Sequence, residues 1–122
     1  MKSASKSIRT FIGAKDYDDS REFYHFLGFE EVNLGPTMSY FRISDTLGFY
    51  LQNAYVKDWI NNSMVFLEVE NLDLFQCELL ALQLDAKYPK VRITAIRNEE
   101  WGRELFMHDP SGVLWHFGEF RS

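Results

Sequence analysis

The side chains able to do chemistry in this chain are few and scattered. Histidines at 25, 108 and 116 have no second histidine or cysteine nearby, so spacing alone starts no metal-binding or nucleophilic constellation. His116, between Trp115 and Phe117, has two readings, a hydrogen-bonded residue facing the sheet interior or a ligand. His108 is expected at a turn and His25 on a helix surface. Cys77, the single cysteine, lies among Leu79, Leu80 and Leu82 and is read as packing; one thiol excludes an intrachain disulfide and a cysteine-based zinc cluster. There is no Gly-x-Ser-x-Gly elbow, phosphate loop or His-Glu-x-x-His pattern, which weakens the case for hydrolases and nucleotide enzymes. Aromatic surface, by contrast, is plentiful. Eleven Phe, six Tyr and three Trp make up 16% of the 122 residues, and such rings either fill a core or line a flat-walled pocket. Trp101, ahead of an apolar strand, reads from the sequence alone as a loop anchor. Met38, Tyr40, Tyr50, Gln52 and Phe66 fall at alternating strand positions that put several of them on one face, where they line a cleft or serve as ordinary packing.

The elements that must position these residues follow from periodicity. Residues 7–13 alternate as a strand; Asp16 then caps a helix with Asp18 and Asp19 in its first turn and Phe23, Tyr24 and Leu27 on its apolar side, and Gly28 closes it. Strands are expected over 29–34, 38–44 and 47–52. The connector, 53–63, shows no regular period, and Trp59 within it is a candidate for an interface with a partner chain. The order then recurs: strand 64–69, helix 72–84 capped by Asn71 with Leu72, Phe75, Leu79 and Leu82 as its buried stripe, and strands near 91–97, 104–107 and 113–120. The expectation is a single α+β domain over 1–122 built of two βαβββ repeats, 7–52 and 64–120. Each repeat has too few strands to close a barrel, so the paired open sheets leave a concave cleft, a favoured place for small molecules.

A formal net charge of −5 argues against nucleic-acid binding and suits a cationic or polar organic ligand. No run of about 18 apolar residues spans a bilayer and no secretory signal opens the chain, so a cytoplasmic location is expected.

The stretch from Ala14 through Asp16, Ser20 and Phe23-Tyr24 to Leu27-Gly28-Phe29 is similar to the opening helix of the vicinal oxygen chelate superfamily, which includes glyoxalases, bleomycin-resistance proteins and extradiol dioxygenases. Asp109-Pro110-Ser111-Gly112, running on to Trp115-His116-Phe117, resembles that superfamily's terminal hairpin. Trp101-Gly102-Arg103-Glu104 is similar to a run in the bleomycin-resistance branch, as is the passage from Asn62 through Met64 to Asn71-Leu72-Asp73.

The resemblance implies a homodimer whose clefts are built from both chains, with Trp101 in the ligand site. Enzymes of the superfamily hold a divalent metal at four strand positions, which fall here on Arg9, Tyr50, Met64 and His116. Only His116 is a common ligand, and Arg9 would repel a cation. A slip of alignment would bring in Gln52 or Glu68. The expectation is a metal-free binding protein without cofactor or catalytic residues; the alternative is a metal-dependent lyase, isomerase or dioxygenase acting on a small oxygenated substrate.

Overall fold

The computed structural model describes residues 3–121. Helix α1 (Tyr17–Phe26) begins where Asp16 accepts the Asp19 amide at 3.1 Å, and the chain leaves it through Gly28 at φ +86°, a conformation in which a Cβ would be strained. Around this helix, β1 (Phe11–Gly13), β2 (Glu30–Asn33), β3 (Met38–Arg42) and β4 (Gly48–Gln52) form a first sheet of order β1-β4-β3-β2, with β1 parallel to β4. Helix α2 (Lys57–Asn61) leads to β5 (Met64–Glu68), α3 (Leu72–Ala81) and the short α4 (Leu84–Lys87). Strands β6 (Arg92–Ile93), β7 (Arg97–Asn98), β8 (Gly102–His108) and β9 (Leu114–Phe120) complete a second sheet of order β5-β9-β8-β6, with β7 also on β8. Its first strand is again parallel to its last. The α+β class and the paired open sheets expected from the sequence are therefore present.

Several boundaries differ from expectation. Residues 7–10 form no strand: Ile8 is 97% exposed, and the Tyr50 amide on the Thr10 carbonyl is the backbone bond that ties this segment to β4. Alternation marks a segment able to pair, but a strand needs a neighbour. The expected helix 72–84 ends early because Gln83 turns to φ +53°, opening α4. The expected strand 91–97 splits into β6 and β7. The connector holds α2, whose Ile60 is fully buried, and Trp59 packs on its own chain: a Cβ at Gly13 would lie 2.6 Å from its ring. Cys77 is exposed rather than packed, because it lies two residues, about 200° around the helix, from the stripe members Phe75 and Leu79. Among the described residues, no helix is long and apolar enough to cross a membrane.

One core serves both sheets. Phe23, Tyr24, Phe41 and Phe49 from the first half and Leu105, Trp115 and Phe117 from the second are buried together, with Tyr24 and Trp115 rings 5.8 Å apart. Between α1 and the first sheet, Glu31 accepts Arg21 Nε at 2.8 Å, pairs with His25 Nε2 at 2.8 Å, and accepts the Ser39 hydroxyl. Burial pushes this carboxyl up, but the bonds from Arg21, Ser39 and His25 and the Arg21 charge outweigh it and hold the group at about 2. A depressed carboxylate stabilises the fold above its unfolded value and loses that contribution as pH falls through the folded one. The wild type is expected to lose roughly 2–3 kcal/mol through Glu31 between pH 4.5 and 2, a loss absent from Glu31→Gln. Urea unfolding across that range checks it; equal acid losses in both proteins would contradict it.

Candidate functional site

Strand alternation gives each sheet a core face and an open face. In the first sheet Ile12, Ser39, Phe41, Phe49 and Leu51 are buried against the core, so Phe11, Met38, Tyr40, Tyr50 and Gln52 share the opposite face. Register aligns Phe11, Tyr50 and Tyr40 in one row and Gly13, Gln52 and Met38 in the next. Phe11 stacks on Tyr50 with centroids 4.6 Å apart, and Tyr40 leans on Tyr50 at 5.3 Å. Arg9 closes over them, donating from Nη1 to the Tyr50 hydroxyl at 2.9 Å with its guanidinium carbon 4.2 Å from the Tyr40 centroid. This face is an aromatic platform with a fixed positive charge on it.

The open face of the second sheet has the same layout and different chemistry. One row holds Phe106, His116 and Phe66; the next holds Glu104, Gly118 and Glu68. Phe66, Trp101 and Phe120 cluster with centroids 5.2–5.8 Å apart, and Phe106 sets its ring perpendicular to His116 at 4.8 Å. Gly118 makes this possible, since a Cβ there would lie 2.4 Å from Phe66 and 3.2 Å from Trp101. Phe66 and Phe120 remain exposed although they are large and apolar. They border a groove of about 560 Å³ that also takes in Leu47, Glu68 and Glu70.

The candidate residues thus divide between two surfaces, Met38, Tyr40, Tyr50 and Gln52 on one and Phe66, Trp101 and His116 on the other. Among the described residues no ring contact joins the two groups. Phe11, Phe106, Phe120 and Glu104 belong to these faces and were missed from sequence; the signal was the same alternation, extended to neighbouring strands once register is known. His25 is on the α1 surface, as expected, whereas His108 closes β8 opposite Leu114 instead of lying in the turn.

The four positions at which a metal would be held carry a guanidinium, a phenol already bonded to it, the 64% exposed thioether of Met64, and His116, whose Nδ1 lies 3.6 Å from Glu104 Oε2. Such a set does not fit a hard divalent ion, which needs several carboxylate, carbonyl or imidazole donors converging on one point. Among the described residues, no three His, Cys, Asp or Glu side chains are grouped to share a metal.

Solved structures share this architecture over their whole length. A bleomycin resistance determinant encoded on transposon Tn5 superposes with a TM-score of 0.82 at 17% identity, covering 97% of this chain and 100% of the other. The fold is that of the vicinal oxygen chelate superfamily. A bleomycin-binding protein from bleomycin-producing Streptomyces verticillus, complexed with copper(II)-bleomycin, gives 0.78 at 20% identity, covering 94% and 96%. A lactoylglutathione lyase from Agrobacterium tumefaciens gives 0.73 at 18% identity, covering 97% and 96%. No family model and no curated relative matches by sequence. Because binding proteins and an enzyme alike carry the vicinal oxygen chelate fold, the residues on the two open faces must decide between those roles.

Proposed function

We propose that the chain is a metal-free, cytoplasmic binding protein of the bleomycin-resistance type, sequestering a bulky cationic or aromatic compound in clefts formed between two copies. The observation that carries this reading is the Phe66, Trp101 and Phe120 cluster, with Phe66 and Trp101 close over Gly118: three large rings on an open face that, among the described residues, has no covering layer. Exposed aromatic surface of this kind needs a partner, and stacking contributes about 0.5–1.5 kcal/mol per ring pair beyond area. The Tyr40 and Tyr50 platform is the natural opposing wall. A symmetric pair of chains would set the platform of each copy over the cluster of the other, giving two equivalent clefts. The neighbours complexed with bleomycin supply the ligand class to try first.

The test is calorimetric titration with a bleomycin-type glycopeptide, expected to release or absorb heat at one site per chain and to raise the melting temperature as ligand binds the folded state. No heat and no thermal shift at saturating concentration would remove this ligand class. The metal-dependent lyase or dioxygenase reading draws on the His116 and Glu104 pair. One equivalent of metal in protein purified without chelator, lost in His116→Ala, would favour it.

A further inference from the structure

The open face of the second sheet carries a charge arrangement that aromatic stacking does not need. Glu104 and Glu68 flank Gly118 in one cross-strand row, and the Phe66 and Trp101 rings lie over that glycine. Glu104 is only 8% exposed, but its carboxylate oxygens are not sealed from solvent and open onto this face. Among the described residues no hydrogen bond to this carboxylate is formed, and the ion-pair partner it has, when protonated, is His116, whose Nδ1 lies 3.6 Å from Oε2. Arg97, its partner across β7, turns instead to Glu99 at 3.6 Å and to the Phe106 ring. Arg103, the preceding residue, is bonded to Asp73 and Glu119.

We infer that this row is a receptor for a positively charged nitrogen group on an aromatic ligand, with Glu104 as the residue that selects for charge. The carboxylate supplies the counter-charge from the floor, the Phe66 and Trp101 rings wall the same spot with aromatic surface, and exposed Glu68 adds a weaker pull from the rim. The first sheet has the opposite character, because Arg9 fixes a positive charge over Tyr40 and Tyr50. A ligand held between the two faces is therefore oriented, with its cation toward Glu104 and its neutral or anionic part toward Arg9. This inference rests on the reading of the same face as a ligand site.

The probes are benzyltrimethylammonium, benzyl alcohol and benzenesulfonate, followed in separate titrations by the amide signal of Gly118 and the indole signal of Trp101 in proton–nitrogen correlation spectra. The ammonium ion is expected to bind about tenfold more tightly than the alcohol, and the sulfonate not to shift these signals. Glu104→Gln should bring the ammonium ion down to the alcohol's affinity, and Glu68→Gln should weaken it about twofold. If Glu104→Gln fails to fold, the comparison of the three probes on the wild type still decides. Equal affinity for the alcohol and the ammonium ion, or an ammonium affinity unchanged in Glu104→Gln, overturns charge selection while leaving the stacking site standing. Silence from all three probes at both signals overturns the ligand site and this inference with it.

Discussion

Asp109→Ala is expected to lower the unfolding free energy by about 3–5 kcal/mol. The carboxylate is fully buried and saturated: Oδ1 accepts the amides of Ser111, Gly112 and Val113, each at 2.9 Å, and Oδ2 accepts the Tyr24 hydroxyl at 2.6 Å. That hydroxyl in turn accepts the Trp115 indole N–H at 2.9 Å. Burial pushes both the Asp109 and Tyr24 groups up in pKa. Alanine leaves the Ser111 and Val113 amides and the Tyr24 hydroxyl without an acceptor in the interior, while Gly112 keeps its bond to the Asp109 carbonyl, and a buried donor left so costs about 1–3 kcal/mol. Gly112 at φ +110° cannot hold the turn alone. Tyr24→Phe removes one link of the same chain and should cost about 2 kcal/mol by leaving Asp109 Oδ2 and the Trp115 N–H unmatched. Urea unfolding measures both; an Asp109→Ala protein within about 1 kcal/mol of wild type would contradict the role given to the turn.

The effect reaches the candidate site. Trp115 lies on β9, and the next residue along that strand, His116, points to the opposite, open face. The Asp109, Tyr24 and Trp115 chain also joins α1 of the first half to the hairpin of the second. The Asp-Pro-Ser-Gly turn, legible in sequence as a tight turn, therefore locks the two halves together. Its residues identified the turn, but nothing in their spacing showed that the carboxylate would find a tyrosine 85 positions upstream.

Local signals transferred well. Asp16 and Asn71 cap their helices, accepting the Asp19 and Leu74 amides, and the Leu72 and Leu79 stripe is buried. What failed depended on partners. Alternation over 7–10 could not show that the segment lacks a strand to pair with, and helix propensity past Leu82 could not show that Gln83 would turn left-handed. Cys77 was read from its apolar neighbours when helical geometry already placed it off the stripe. Within the site, alternation indicated a shared face for Tyr40 and Tyr50. The repeat boundaries also placed Phe66, Trp101 and His116 in the second half, but they could not show which residues share a cross-strand row there, because register across strands is set by turns and packing together. Glu104 was visible as part of a familiar run, but its isolation from Arg97 and Arg103 is a property of the folded surface.

The central claim is that one binding cleft takes its walls from two chains, and complementation tests it most directly. One protein carries Tyr40→Ala and Tyr50→Ala, destroying the platform; another carries Phe66→Ala and Trp101→Ala, destroying the ring cluster. Each alone should give no calorimetric signal with the bleomycin-type ligand, because both clefts of either dimer lack a wall. When the two are unfolded, mixed in equal amounts and refolded, half of the dimers combine one of each, and every such dimer regains one intact cleft. The account predicts recovered binding at about one site for every four chains, with wild-type affinity. A mixture that stays silent while the wild type binds would place the cleft within a single chain and contradict the account.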